Sequence, residues 1–188
     1  MAVSDRNRWN EKYQCGEHAS TDPSRLITSL DHLLPRAGRT VDVAGGAGRN
    51  AIWLAQRGLS VTLADISDEA LEIASTRAVD NGLDLQTLQI DFEQEPFPSG
   101  PWDLILCMHY LWRPLFDHFR ENLSLGGLLI LIHPTHTNLQ RHKRPSARFL
   151  LDDGELPSLV SQLEIVKYEE SWLVEGRHEA RLVARRAI

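Results

Sequence analysis

Cysteine is scarce in this chain. Cys15 and Cys107 are the only two among 188 residues, far apart and in no metal-ligand spacing. That argues against a disulfide scaffold or a thiolate metal centre and predicts a reduced, cytoplasmic setting. Long apolar runs are missing as well. The longest, "LGGLLILIH", is strand-sized, so no membrane span or membrane partner is expected. The opening "MAVSDRNRWNEKY" is polar and has no apolar signal core. An excess of positive charge is absent too: 20 Lys and Arg stand against 26 Asp and Glu, for a formal net charge of −6. Nucleic acid is therefore not expected as the main partner. No repeat and no low-complexity tract interrupts the chain.

What is present is an ordinary globular composition, with 42% hydrophobic and 24% charged residues. The length fits one domain with a sizeable core, as monomer or homodimer. A polar helix is predicted over 4–15, with Trp9 and Tyr13 at i and i+4 on one face. A second helix is predicted over 22–34, with Asp22 as N-cap and Pro23 in its first turn. Strand and helix then alternate: "TVDVA", "GRNAIWLAQRG", "SVTLAD", "SDEALEIASTRAVDNG", "LDLQTLQID", "WDLILCMH", "RPLFDHFRENL" closing at Gly126, and "GLLILIHP". A short helix over 156–162 and a hairpin, "EIVKYEESWLV" and "HEARLVARR", finish the chain. This order predicts an α/β fold: a mostly parallel sheet, helices on both faces and an antiparallel addition. Such sheets bind ligands beyond the carboxyl ends of their strands.

Those ends carry the candidate site. "VDVAGGAGRN", residues 41–50, packs small residues between a strand and a helix N-terminus, where free backbone N–H groups favour an anion. Gly46, Gly48 and Ala51 fit a dinucleotide fingerprint, and Asp65 stands near the distance expected of a ribose-binding acid. Close helix–strand packing would explain the glycines alone, but not the acid. Asp42, before the glycines, would repel a pyrophosphate and suit a sulfonium or ammonium ligand. Asp91 and Phe92 follow the third strand, where an adenine amino group and ring can be met. The remaining chain is short for a dinucleotide's second half. An NAD(P)-binding oxidoreductase is thus the weaker alternative.

"VDVAGGAGRNAIWLAQRG", "VTLADIS", "LQIDFEQEPFP" and "WDLILCMHYLWRP" resemble successive motifs of the class I S-adenosylmethionine-dependent methyltransferases. "RWNEKYQCGEH", "GRNAIWLA" and "FLLDDGEL" with "VKYEE" are similar to the small bacterial enzymes like tellurite-resistance protein B and thiopurine methyltransferase. The resemblance implies a Rossmann-like seven-stranded sheet of order 3-2-1-4-5-7-6. It implies a helical cover over 1–36, a cofactor core over 37–133 and a substrate-side loop and hairpin over 134–188. It implies that Asp42, Ala44, Gly45, Gly46 and Gly48 form the turn around S-adenosyl-L-methionine, with Ala44 in place of the first glycine. Asp65 would take the ribose hydroxyls, Ile66 would lie on the adenine, and Asp91 would accept from its amino group beside the Phe92 backbone. Trp9 and Tyr13 would close over the cofactor.

The fourth strand ends in "HYLWR", where the resemblance puts a small-molecule acceptor. His109 is the candidate base or substrate contact, and Tyr110 a candidate lining of the methyl pocket. A structural histidine and a core tyrosine explain the same letters. A soft thiol or a chalcogen oxyanion is one acceptor class. His133 and His136 flank "PT" but make no expected metal set with His109. The basic stretch 141–148 reads as a solvated face or as a contact for an anionic acceptor. A non-catalytic S-adenosylmethionine-binding protein is the third reading, kept by Ala44 and "HPTHT".

Overall fold

The computed structural model describes residues 2–16 and 20–188. Seven strands form one sheet in the order β3-β2-β1-β4-β5-β7-β6. They are β1 Arg39–Val43, β2 Ser60–Asp65, β3 Leu85–Gln89, β4 Trp102–Met108, β5 Leu123–Pro134, β6 Glu164–Trp172 and β7 His178–Arg185. β1 through β5 pair in parallel, and β7 runs antiparallel between β5 and β6. This is the expected sheet. The order reverses direction at β1, which puts the crevice between the ends of β1 and β4.

The helices are α1 Ala2–Gln14, α2 Arg25–Ser29, α3 Arg49–Ala55, α4 Asp68–Asp80, α5 Phe116–Asn122 and α6 Leu156–Leu159. The central strands are apolar on both sides, because each face of the sheet carries a core. Val41, Val43, Ile105, Cys107, Leu129 and Leu131 pack with Phe116, Phe119 and Leu156 on one face. Leu104, Leu106, Ile130, Leu63 and Val61 pack with Ile27, Leu30 and Leu54 on the other. No helix among the described residues is long and apolar enough to cross a membrane.

Three predicted boundaries move. The helix expected over 22–34 is only Arg25–Ser29, capped at Ser24, and continues as turns. Its apolar stripe is real, since Ile27, Leu30 and Leu34 are buried, but burial there comes from turns as well as helix. The helix expected to close at Gly126 ends at Asn122, and β5 begins at once with Leu123. Gly126, at φ 77°, serves the strand: its N–H donates to the Arg186 carbonyl at 2.9 Å. The helix expected over 156–162 stops at Leu159.

α4 follows its sequence signals closely. Ser67 accepts from the Ala70 N–H at 3.1 Å, Asp68 and Glu69 fill the first turn, and Gly82 at φ 65° follows the end. α1 docks on that same first turn. Arg6 and Asn10 hydrogen-bond Asp68 (2.9 and 2.7 Å), and Gln14 meets Glu69 at 2.7 Å. The Ser67 hydroxyl also donates to Asn10 Oδ1 at 2.7 Å.

Candidate functional site

The glycine turn leaves β1 and enters α3. Ala44 (φ 51°), Gly46 (φ 58°) and Gly48 (φ 74°) are all left-handed. An alanine in that region costs about 1–2 kcal/mol, so Ala44 keeps the turn's shape at the expense of strain. The glycines divide their work. A β-carbon on Gly48 would meet Ala74 Cβ at 2.9 Å and Leu63 Cδ2 at 3.2 Å, so Gly48 permits close packing of α3 against α4 and β2. One on Gly45 would strike the Asp42 carboxyl carbon at 2.6 Å and the Leu63 side chain. Only at Gly46 does the missing side chain leave room on the outer side, and there the Tyr13 hydroxyl fills it.

Asp65 braces this turn. Its Oδ2 accepts from the Gly46 N–H at 2.8 Å and its Oδ1 from the Ser67 N–H at 2.9 Å. The residue is 7% exposed. Burial raises its carboxyl pKa, and the backbone donors of Ser67, Gly46 and Ile66 oppose that rise. Asp42 lies beneath the turn, 1% exposed, with Oδ2 unpartnered. Burial, then the nearby Asp65, push its carboxyl up to about 7, while Arg49 and the Ala51 N–H pull the other way. Two carboxyl groups thus underlie the turn.

α1 covers the turn from outside. Trp9 and Tyr13 share a face as predicted, with ring centroids 6.3 Å apart. Lys12 Nζ sits 4.4 Å from the Trp9 ring centroid. Burial, then Asp65, push the Tyr13 phenol upward, and the Ala47 backbone N–H hydrogen-bonds its oxygen. Two clefts elsewhere, of about 190 Å³ beside Arg113 and Leu159 and about 160 Å³ beside Arg49 and Trp53, include neither Gly46, Asp65 nor His109.

Past β2, Ile66 is half-buried next to Asp65. Asp91 caps its own turn, with Oδ1 accepting from the Glu93 N–H at 3.0 Å. The Phe92 ring is buried against Phe97 and Tyr110, at 6.0 and 5.9 Å between centroids. That ring is therefore core, and what Phe92 offers a ligand is its backbone. Tyr110 packs on the same cluster, and burial pushes its phenol upward. His109 diverges from it: Nε2 donates to the Glu179 carboxylate at 3.0 Å. Glu179 is the functional candidate that sequence reading missed, because it lies 70 residues away on a strand that reads as plain alternation.

The other histidines are separated by their own partners. His133 Nε2 donates to the Phe149 carbonyl at 2.7 Å, and burial brings its pKa down to about 4. His136 Nε2 donates to the Ala147 carbonyl at 3.0 Å, and Nδ1 lies 3.0 Å from Asp152. Among the described residues, Asp153, Glu170 and His178 bring ligand atoms within 4.8 Å of one another. Protein donors already occupy that group. Asp153 accepts from Thr137 N and Oγ1 (3.1 and 2.6 Å), Glu170 from Gly154 N and Tyr168 (3.0 and 2.5 Å), and His178 pairs with Thr135 at 2.8 Å. The basic stretch 141–148 is pinned to the hairpin. Arg141 lies over Trp172 at 3.9 Å, and His142 donates to the Gly176 carbonyl at 2.7 Å.

Residues 40–127, spanning the turn and β1 through the start of β5, match the model of the methyltransferase domain. Over that stretch the chain is similar to a methyltransferase domain. Its sheet order and antiparallel β7 are those of the class I methyltransferase fold, whose cofactor is S-adenosylmethionine. The solved structure of TehB from Haemophilus influenzae superposes with a TM-score of 0.77 at 17% identity, covering 94% of this chain and 67% of that one. An uncharacterized protein of Mycobacterium tuberculosis (strain H37Rv) is 38% identical over 111 residues, 56% of this chain and 39% of its own. A protein of Geobacillus sp. (strain WCH70) whose name is that of a methyltransferase is 30% identical over 154 residues, 74% of this chain and 62% of its own. The chain thus spans between about two fifths and three fifths of the length of these curated relatives.

Proposed function

We propose that this chain is an S-adenosylmethionine-dependent methyltransferase that acts on a small-molecule acceptor. The observation that carries this reading is the bare backbone at Gly46, held by Asp65, inside a methyltransferase domain. The residues fit the cofactor. A β-carbon at Gly46 would fill the cradle, and the Asp65 carboxylate keeps accepting capacity after bracing the backbone. In this reading Asp42, Ala44, Gly45, Gly46 and Gly48 shape the cradle. Asp65 receives the ribose, Ile66 the adenine face, and Asp91 with the Phe92 backbone the adenine amino edge. Of the expected cover, α1 is the part that closes the turn while Ile27, Leu30 and Leu34 are core, and Tyr13 leaves the turn when ligand enters.

When bound, S-adenosylmethionine supplies an electrophilic methyl group on a sulfonium. This chain's own residues orient it and exclude water. His109 and Tyr110 stand on the acceptor side of the crevice. The Gly46 N–H that a pyrophosphate would need is already held by Asp65, which disfavours NAD(P). Titration calorimetry tests the reading: S-adenosylmethionine and S-adenosylhomocysteine bind, and NAD does not. S-adenosylhomocysteine release from an acceptor panel separates an enzyme from a non-catalytic binding protein. Binding of NAD alone overturns the assignment.

A further inference from the structure

His109 ends β4 at φ 61°, a left-handed conformation in a residue that carries a side chain. Its N–H donates to the Ile132 carbonyl of β5 at 2.8 Å, which fixes that turn. Strained backbone of this kind persists only where its surroundings impose it, and it gathers at functional sites. The turn aims the imidazole at β7. Nε2 donates to Glu179 Oε1 at 3.0 Å, and Glu179 is 3% exposed. Burial alone would raise that carboxyl's pKa. The His109 hydrogen bond and the charges of His109, Arg177 and Arg181 bring it below its ordinary value. The groups that face this pair are Arg177, 3.3 Å from Glu179, Arg181 on β7 and His133 on β5, which Arg113 faces in turn. The His109 side chain stays 32% exposed, and its Nδ1 has no hydrogen-bond partner among the described residues.

The bond to a carboxylate fixes the proton of a neutral ring on Nε2 and leaves a lone pair on Nδ1. We propose that Glu179 is the positioning residue for a His109 general base, and that the methyl acceptor still carries its proton at neutral pH: a hydroxyl or thiol compound, not a pre-ionised oxyanion. This rests on the methyltransferase reading. In the step, the acceptor's lone pair forms a bond to the methyl carbon. The carbon–sulfur bond breaks with its electron pair left on sulfur. The acceptor's proton passes to Nδ1 of His109, and the buried Glu179 carboxylate balances the imidazolium.

Three measurements test this. Ring nitrogen NMR, assigned with His109→Gln, reads the neutral ring: we expect the Nε2–H tautomer in the parent and a mixture in Glu179→Ala. S-adenosylhomocysteine release is followed with catechol, a monophenol, an aliphatic alcohol and an alkanethiol, and with selenite as the pre-ionised probe. We expect transfer to at least one protic probe. On that probe Glu179→Gln, close in shape, lowers kcat by about tenfold or more with KM and S-adenosylhomocysteine Kd unchanged. It also shifts the acidic limb of the pH–rate profile to lower pH. An Nδ1–H tautomer in the parent, an unaltered kcat and limb in Glu179→Gln, or transfer to none of the protic probes overturns the proposal. Failure to bind S-adenosylhomocysteine would instead defeat the methyltransferase reading, while NMR still reports the pair.

Discussion

The two sides of the crevice are built differently. The glycine-turn side comes from neighbouring segments: β1 with α3 and β2 with α4, tied by Asp65 across 19 residues. The proposed acceptor side joins β4, β5 and β7, and its key hydrogen bond spans 70 residues. On the first side each glycine has a partner that explains it, and two polar atoms, Thr40 Oγ1 on β1 and Asp42 Oδ2 beneath the turn, are orphaned. On the second, His133 Nδ1 and Arg181 Nε are buried without partners. Buried polar atoms are normally satisfied, so both sides of the crevice keep open hydrogen-bonding capacity. What separates the two sides is reach: the turn is tied by contacts between neighbouring elements, the far side by contacts distant in sequence.

The strongest way to break this contrast is at the turn. Gly46→Val should weaken S-adenosylhomocysteine binding by more than about a hundredfold, equivalent to roughly 2.7 kcal/mol. Its side chain enters the cradle and meets Tyr13. Gly48→Ala should instead lower thermal stability, since its β-carbon meets Ala74 and Leu63. Calorimetry and a melting curve on both variants decide it, and equal binding losses would erase the distinction between holder and packing glycines. Next in size, Asp65→Ala should lose binding by roughly tenfold to a hundredfold, and Asp91→Ala by less. Asp65 holds Gly46 as well as the proposed ribose contact, whereas Asp91 is tied up in its own turn. A larger loss from Asp91→Ala would reverse the assignment.

Legibility follows the same division. The alternation of strand and helix, Ser67 as a cap, Asp65 at its strand end and the shared face of Trp9 and Tyr13 were all readable, because each signal lies within one or two adjacent elements; the sheet order came through the family resemblance. The short α2 was not, since Ile27, Leu30 and Leu34 give the same spacing in turns as in helix once tertiary packing holds them. The end of α5 was misread because Gly126 resembles a helix stop yet serves β5. Glu179 was invisible: no local pattern tells which side of β7 faces the end of β4.

Two smaller effects sharpen the comparison. Limited proteolysis within α1 should slow when S-adenosylhomocysteine is added, because α1 is held to α4 by exposed pairs such as Arg6–Asp68 and covers Gly46 through Tyr13. Equal rates with and without ligand would make α1 a fixed brace. The smallest expected effect is on stability against pH. Asp42 keeps its proton up to about 7 when folded but releases it at the ordinary carboxylate value when unfolded. The folded state therefore binds more protons between those values, and stability falls as pH rises through that window. Asp42→Asn should be the more stable protein above pH 7 and should lose this part of the slope. A parallel shift of the melting temperature at all pH values would contradict it.

The place of β7 has a consequence for how the molecule comes into being. The strand that supplies Glu179 is the last in the chain, yet it inserts between β5 and β6. During synthesis β1 to β4 and the glycine turn emerge first and can form from local contacts. The His109–Glu179 pair must wait until the C-terminal hairpin has closed and docked on β5. A nascent chain thus gains its glycine turn before the side on which His109 meets Glu179.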